Sequence, residues 1–294
     1  MVKQSSLALA ALFAAASAAA TPIDRTIAAG AEGELAVDND AGSVEVVGWN
    51  KKEVHVTGDL QANAERLEVE NRQGRIVVRV VLPEGPSGGY AQGTNLRISA
   101  PSDTSLEVSA LSADIAVHGI EGSQRLHSIS GSVRTEGFDK DLDVKSISGD
   151  VTIDGHDKPI HTRASAVSGN VSLNGISGDI EAKSVSGSVM LHGRSLQRAQ
   201  LESISGRLDV QGALAKDARI DATTTSGSVN LQFAGDAAAE YTLSSFSGGI
   251  DNCFGPRAGH TGFGSQQELH FSEGISRARV DVRTMSGRIQ LCKR

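Results

Sequence analysis

The feature that most constrains this 294-residue chain is a motif, Ser-x-Ser-Gly-x-apolar-x-apolar, that returns in register along most of its length. It stands as Ser128-Ile-Ser-Gly-Ser-Val-Arg-Thr135 and Ser146-Ile-Ser-Gly-Asp-Val-Thr-Ile153, and again as Ser184-Val-Ser-Gly-Ser-Val-Met-Leu191 and Ser203-Ile-Ser-Gly-Arg-Leu-Asp-Val210. Looser copies centre on Gly169, Gly227, Gly248 and Gly287, and Ala113 takes the glycine place in an earlier copy. From Ala113 through Gly131, Gly149, Gly169, Gly187, Gly206, Gly227 and Gly248 the spacings are 18, 18, 20, 18, 19, 21 and 21 residues. Self-similarity at such a period marks a repeat architecture. One unit cannot bury its apolar face alone; stacked units can.

A second glycine follows six residues after the first in six units, at Gly119, Gly137, Gly155, Gly175, Gly193 and Gly212. Two glycines per unit imply two corners, each needing backbone angles that other residues avoid. Between corners the apolar residues alternate, as at Val151 and Ile153 and then Ile160, Thr162 and Ala164, which is the period of a strand. The expected fold class is therefore all-β: a single elongated parallel β-solenoid of two-strand coils, about 18–21 residues per coil. Stacking at about 4.8 Å would pair each strand with its equivalent in the next coil. Val, Ile, Leu and Ala would form ladders through a core about 10 Å thick. Aromatics make up only 3% of the chain, and glycine is abundant at 33 residues, which suits so narrow a core.

Upstream of the regular repeats, strands are expected at Gly42–Val47, Val54–Thr57, Leu67–Glu70, Arg75–Val81 and Leu96–Ser99, with a Gly-rich loop at Glu84–Gly93. Residues 21–105 are read as an irregular N-terminal β cap with the first coils, which shields an open sheet edge. Residues 106–294 are the regular solenoid, interrupted by a loop insertion at 255–266. Residues 1–20 have the layout of a secretory signal: Lys3, an apolar run Leu7–Ala16, and Ala18-Ala19-Ala20 before Thr21. The run is shorter than the roughly 20 residues of a membrane span, no cysteine follows it for a lipid anchor, and no second apolar segment appears. The expectation is a soluble, exported mature chain in the periplasm, at the cell surface or secreted. Its formal charge, −7 for the whole chain, becomes −8 without Lys3, and no basic patch with interleaved aromatics is present. Nucleic acid is excluded as a partner on that ground.

With these residues the sequence resembles a bacterial family of putative adhesins, a domain of unknown function built of Ser-Gly β-repeats. The residues that carry the likeness are Gly42-Ser-Val-Glu-Val-Val-Gly-Trp49, Glu53-Val-His-Val56, Leu96-Arg-Ile-Ser-Ala-Pro101, the Ser-x-Ser-Gly copies and Met285-Ser-Gly-Arg-Ile-Gln-Leu291. Nearly the whole mature chain is covered. The resemblance implies a β-solenoid and an adhesive role, and it brings no catalytic residues. Ala113 and the two cysteines depart from the pattern.

The repeated serines are not expected to be nucleophiles, since a nucleophile needs one serine beside an oriented base and here every coil carries the same one. Satisfying corner backbone groups explains them. Between the serines sits an apolar residue: Ile129, Ile147, Val167, Val185, Ile204, Phe246 and Met285. Facing in, these would fill the corner; facing out, they would form a long apolar stripe suited to adhesion or assembly. The rarity of such stripes on soluble proteins favours corner filling. Three residues after the glycine, successive coils carry Asp209, Asn230 and Asp251. Two rises would put the aspartates about 10 Å apart, near the spacing of inverting glycosidases. A flat, wet sheet gives neither a raised pKa, so solvated surface is expected. Five residues after the glycine come His118, Glu136, Asp154, Asn174 and His192. His118, Glu136 and Asp154 are weak metal candidates in a position that any polar residue suits. His156-Asp157 reads as turn chemistry.

No catalytic or cofactor-binding residues and no cofactor are therefore expected. The function expected is an exported, non-enzymatic envelope or surface scaffold presenting a repetitive face to an envelope protein or glycan. The alternatives are a polysaccharide-active β-helix enzyme, for which acids and aromatics in a groove are lacking, and a structural protein self-associating end to end through its coil edges. Cys253 and Cys292 each lie five residues after a motif glycine. The 39 residues between them equal two coils, which would hold the Cα atoms about 10 Å apart, or one enlarged coil, about 5 Å, within disulfide reach. The loop-like stretch Phe254–Gly264, the absence of a motif midway and an oxidising compartment favour the enlarged coil and a disulfide.

Overall fold

A computed structural model describes residues 20–30, 33–61, 64–83, 93–260, 265–275 and 277–294. The signal segment, most of the Glu84–Gly93 loop and part of the 255–266 insertion lie outside these residues. In the N-terminal part β1 is Thr21–Ala28, β2 Glu34–Trp49, β3 Glu53–Leu60, β4 Arg66–Arg72, β5 Arg75–Val81, β6 Thr94–Pro101 and β7 Ser105–His118. The middle holds β8 Gln124–Ser128, β9 Val133–Gly137, β10 Leu142–Ser146, β11 Val151–Gly155, β12 Pro159–Ala166, β13 Val171–Asn174, β14 Ser177–Ser184 and β15 Val189–Ser203. Then follow β16 Leu208–Thr224, β17 Val229–Ala234, β18 Ala239–Ser245, β19 Ile250–Asn252, β20 Gly259–His260, β21 Gln267–Glu273, β22 Arg279–Thr284 and β23 Ile289–Lys293. All belong to one hydrogen-bonded sheet, and no helix occurs among the described residues. The strands expected in residues 21–105 fall within β2 to β6; β1 was not foreseen.

Through the middle of the chain the pairing skips one strand each time. β8, β10, β12 and β14 form one parallel series, and β9, β11, β13 and β15 form the other. Each repeat thus supplies one strand before the motif and one after it. Val133, Val151, Val171 and Val189 share a column, as do Leu126, Val144, Ala164 and Ala182, and all eight are at most 2% exposed. Alternation alone places them inward, since successive side chains of a strand point to opposite faces.

The motif explains how the layers are fastened. The Ser146 hydroxyl donates to the Gly131 carbonyl of the preceding repeat (3.1 Å) and accepts from the Gly149 N–H of its own (2.9 Å). Ser128, Ser184 and Ser203 do the same one or more layers away. Each is buried, so the hydroxyl replaces water for two backbone groups that would otherwise be orphaned. The motif glycine is needed for a reason other than the one expected. Its φ is not in the left-handed region; instead, a Cβ on Gly187 would lie 1.9 Å from the Gly169 carbonyl oxygen. Only a residue without a side chain lets consecutive corners stack so closely. Left-handed angles occur at the second corner, at Gly119 (φ 63°), Gly175 (φ 60°) and Asp157 (φ 58°).

The order of layers departs from chain order at both ends. β2 lies in parallel between β5 and β6 on one side and β7 on the other. β22 lies between β16 and β18, and β23 between β17 and β19. The first and last parallel repeats of the chain are therefore each inserted one layer in from the edge. Outside them, antiparallel strands close the sheet: β4 on β5, β3 on β6, β1 on β3, and β21 on β18. Most of the coil edges are thus already paired, whereas β19 has a strand partner on one side alone, β23. Insertion also moves Asp251. Its rung neighbour is Gln290, not Asn230, so three rises separate it from Asp209, about 14 Å. Cys253 and Cys292 sit on neighbouring layers and are bonded, with Cα atoms 4.9 Å apart.

Candidate interaction surface

The residue between the two motif serines faces out in every repeat, correcting the corner-filling expectation. Leu111, Ile129, Ile147, Val167, Val185, Ile204, Met285 and Phe246 are 39–61% exposed. Strand parity is the reason: Leu126 and Ser128 point inward, the serine because its hydroxyl staples the corner, so Ile129 must point away. The signal was therefore present in the sequence, as alternation continuing through the serine.

These side chains form one continuous ladder. The carbonyl of each accepts the N–H of the serine that follows the next rung's residue: Leu111 from Ser130, Ile129 from Ser148, Ile147 from Ser168, Val167 from Ser186, and Val185 from Ser205. Beyond them Ile204 accepts from Ser226, Thr225 from Ser286, and Met285 from Ser247, which precedes Gly248 in the outermost rung with Phe246. Nine rungs spaced by one strand separation give a ridge roughly 38 Å long. Thr225 is its one polar member. Among the described residues, only Ile275 is a large, exposed apolar side chain lying elsewhere. Beside the ridge runs a second exposed column, serine in all nine rungs, from Ser112 to Ser247. The backbone beneath is saturated by neighbouring layers, so what the ridge offers is apolar surface and hydroxyls.

The polar candidates take simpler places. His118 Nδ1 lies 3.1 Å from Glu136 Oε1, and the Gly119 N–H donates to the other oxygen (3.1 Å). Burial alone would raise the Glu136 carboxyl, yet these two hydrogen bonds outweigh it and hold the group below the ordinary carboxylate range. Asp154 instead accepts from Asn174 (2.9 Å) and lies 3.8 Å from Arg134. His192 is 4.0 Å from Asp209, which also accepts from Asn230 (3.1 Å). Among the described residues no three such side chains converge as metal ligands.

One carboxylate pair escaped the sequence. Asp221 on β16 and Asp281 on β22 occupy adjacent rungs because β22 is inserted there. Burial, then the neighbouring Asp281 charge, raises the Asp221 carboxyl. Arg219, Arg279 and Arg283 stand on the same strands, making this a charged outer face rather than a cleft.

No curated protein matches the chain. Among solved structures, a putative adhesin from Parabacteroides merdae is similar with a TM-score of 0.50 at 9% identity, covering 92% of this chain and 95% of that one. A second, from Bacteroides fragilis, has a TM-score of 0.46 at 11% identity, with 92% and 96% covered. The first likeness bears on the fold alone. The model of the Toastrack DUF4097 family matches residues 33–292, from the start of β2 to β23. The chain belongs to the Toastrack DUF4097 family.

Proposed function

We propose that this is an exported, non-enzymatic interaction protein of the cell envelope or surface, an elongated two-strand β-solenoid whose apolar ridge docks a macromolecular partner. The carrying observation is the ladder from Leu111 to Phe246. Soluble proteins scatter their exposed apolar residues, whereas here nearly all stand in one line. The signal-like residues 1–20 and the Cys253–Cys292 bond support an oxidising destination. The adhesin description of the P. merdae structure agrees with an adhesive role. In this reading residues 21–105 cap the repeat stack.

The test is retention of the purified mature chain on isolated envelope material, compared with the triple variant I129S/I147S/I204S. All three side chains point outward, so the variant keeps its fold. Burying three half-exposed isoleucines contributes about 2–3 kcal/mol, so the variant should bind at least about tenfold more weakly. Equal retention of the variant, or no retention of a wild-type chain that also fails to associate with itself, overturns the reading.

A further inference from the structure

We infer that the partner seated on the ridge is a second copy of this chain, joined side by side with both chains running in the same direction. This rests on the reading that the ridge is a docking face. A partner that keeps contact over nine rungs needs side chains at the same pitch of about 4.8 Å, and another copy presents that pitch by construction. Area is adequate as well. A fully buried apolar side chain of this size removes on the order of 100 Å² from water, so eight half-exposed ones offer roughly 400 Å² per copy. With the adjoining serine column, two copies would cover about 1,000 Å², the lower bound for a specific and reversible interface.

Charge selects the orientation. A twofold axis along the ridge brings each rung opposite its own counterpart, so the strand before the motif in one copy faces the strand after it in the other. Lys145 then faces Asp150 of the second copy, and Glu202 faces Arg207, each pair occurring twice. Against these stands one like pair, Arg283 with Arg288; Arg288 lies 3.6 Å from Asp251 of its own chain, as Lys145 lies 3.1 Å from Asp143 and Glu202 3.4 Å from Lys183. The antiparallel alternative, centred on Val185, sets Lys183 against Lys183 and His127 against Arg283, with no opposite-charge pair. Such exposed pairs orient an interface more than they tighten it.

Sedimentation equilibrium of the mature chain, from about 1 to about 200 µM, tests this. The expected result is a reversible monomer–dimer equilibrium at micromolar concentrations, lost in the outward-facing double variant I147D/V185D while its melting temperature stays that of the wild type. K145D should weaken the dimer by at least about threefold, and K145D/D150K should restore it. A wild-type chain that stays monomeric throughout, or a dimer that survives I147D/V185D, overturns the proposal. Failure of K145D/D150K to restore a dimer weakened by K145D overturns the parallel arrangement. If the chain is monomeric yet binds envelope material through the ridge, the second copy is the wrong partner and the docking reading stands. Monomer without ridge-dependent binding removes both.

Discussion

At the motif corner the repeats keep one geometry; at the opposite corner hardly two are alike. Between the second glycine and the inward residue in register with Leu142, the chain takes five residues at Gly137–Leu142 and seven at Gly155–Thr162. It takes five at Gly175–Ile180, six at Gly193–Ala199 and eight at Gly212–Ile220. The corresponding motif spacings are 18, 20, 18, 19 and 21, so subtracting one series from the other leaves 13 each time. All variation in repeat length is thus taken up at one corner. The motif corner cannot vary, because glycine carbonyls stack against glycine Cα atoms and in most layers a serine or threonine hydroxyl, as at Ser146 and Thr284, links one layer to its neighbour. The other corner lacks the recurring hydroxyl staple, and a glycine meets a glycine carbonyl there in some layers, as Gly212 does Gly193, and not in others. Gly137 and Gly155 come nearest to side-chain methyls, Leu142 Cδ1 and Ile176 Cδ1, whereas Gly193 and Gly212 come nearest to backbone carbonyls, and the ladder shifts register between His192 and Ser195. Its largest excursion, the run from Cys253 to Cys292, is closed by a covalent bond instead.

The sharpest way to break this contrast is Gly187→Ala. Backbone must move to admit a Cβ 1.9 Å from an oxygen, so a loss of about 4 kcal/mol or more is expected in denaturant melts. A cost below about 1 kcal/mol would mean that the corners are not so closely stacked. Next comes reduction of Cys253–Cys292, which releases a loop of 39 residues and should lower stability by about 2–4 kcal/mol. A thermal melt that does not change with reductant contradicts it. Ser184→Ala leaves the buried Gly169 carbonyl and Gly187 N–H without their shared partner, which should cost about 2 kcal/mol. Inserting Gly-Ser after Arg194, at the variable corner, should cost less than about 1 kcal/mol. The same insertion between Ser184 and Gly187 should prevent folding; similar effects at both sites would erase the distinction.

The smallest effect is one of pH beside the motif corner. Burial, then the Lys145 charge, depresses the His127 imidazole below its usual value of about 6.5, against opposing pulls from Asp143 and Glu107. A depressed folded value means that the unfolded chain takes up the proton first. Stability is therefore full above about pH 6.5 and falls as the pH drops toward the folded value. The melting temperature of His127→Gln should decline less between pH 7.5 and 5.5 than that of the wild type, by about one or two degrees. Equal declines would show that His127 does not titrate this way.

Much of the candidate surface was legible in the sequence, but it was weighed by the wrong rule. The columns Val133–Val151–Val171–Val189 and the exposed place of Ile129 follow from one alternation. Hydropathy argued that apolar residues go inside, and at Ile129 parity overruled it because the inward place belongs to Ser128. The glycine's role was misassigned for a related reason. A sequence shows that Cβ is absent, but not whether angle or contact distance demands it.

What the sequence alone determined is the column in which each residue stands: inward, outward, stapling serine or stacking glycine, all set by local alternation and motif spacing. The tertiary structure decided which layer lies on which. Because most motif corners offer the same stacking glycine, stapling hydroxyl and apolar column, the spacing of the motifs does not say which repeat lies on which. Antiparallel partners outside the stack, β3 and β4 at one end and β21 at the other, occupy the edges. The first and last parallel repeats consequently sit one layer in, and that choice placed Asp221 beside Asp281, separated Asp251 from Asn230 and carried the ridge from Thr225 through Met285 to Phe246.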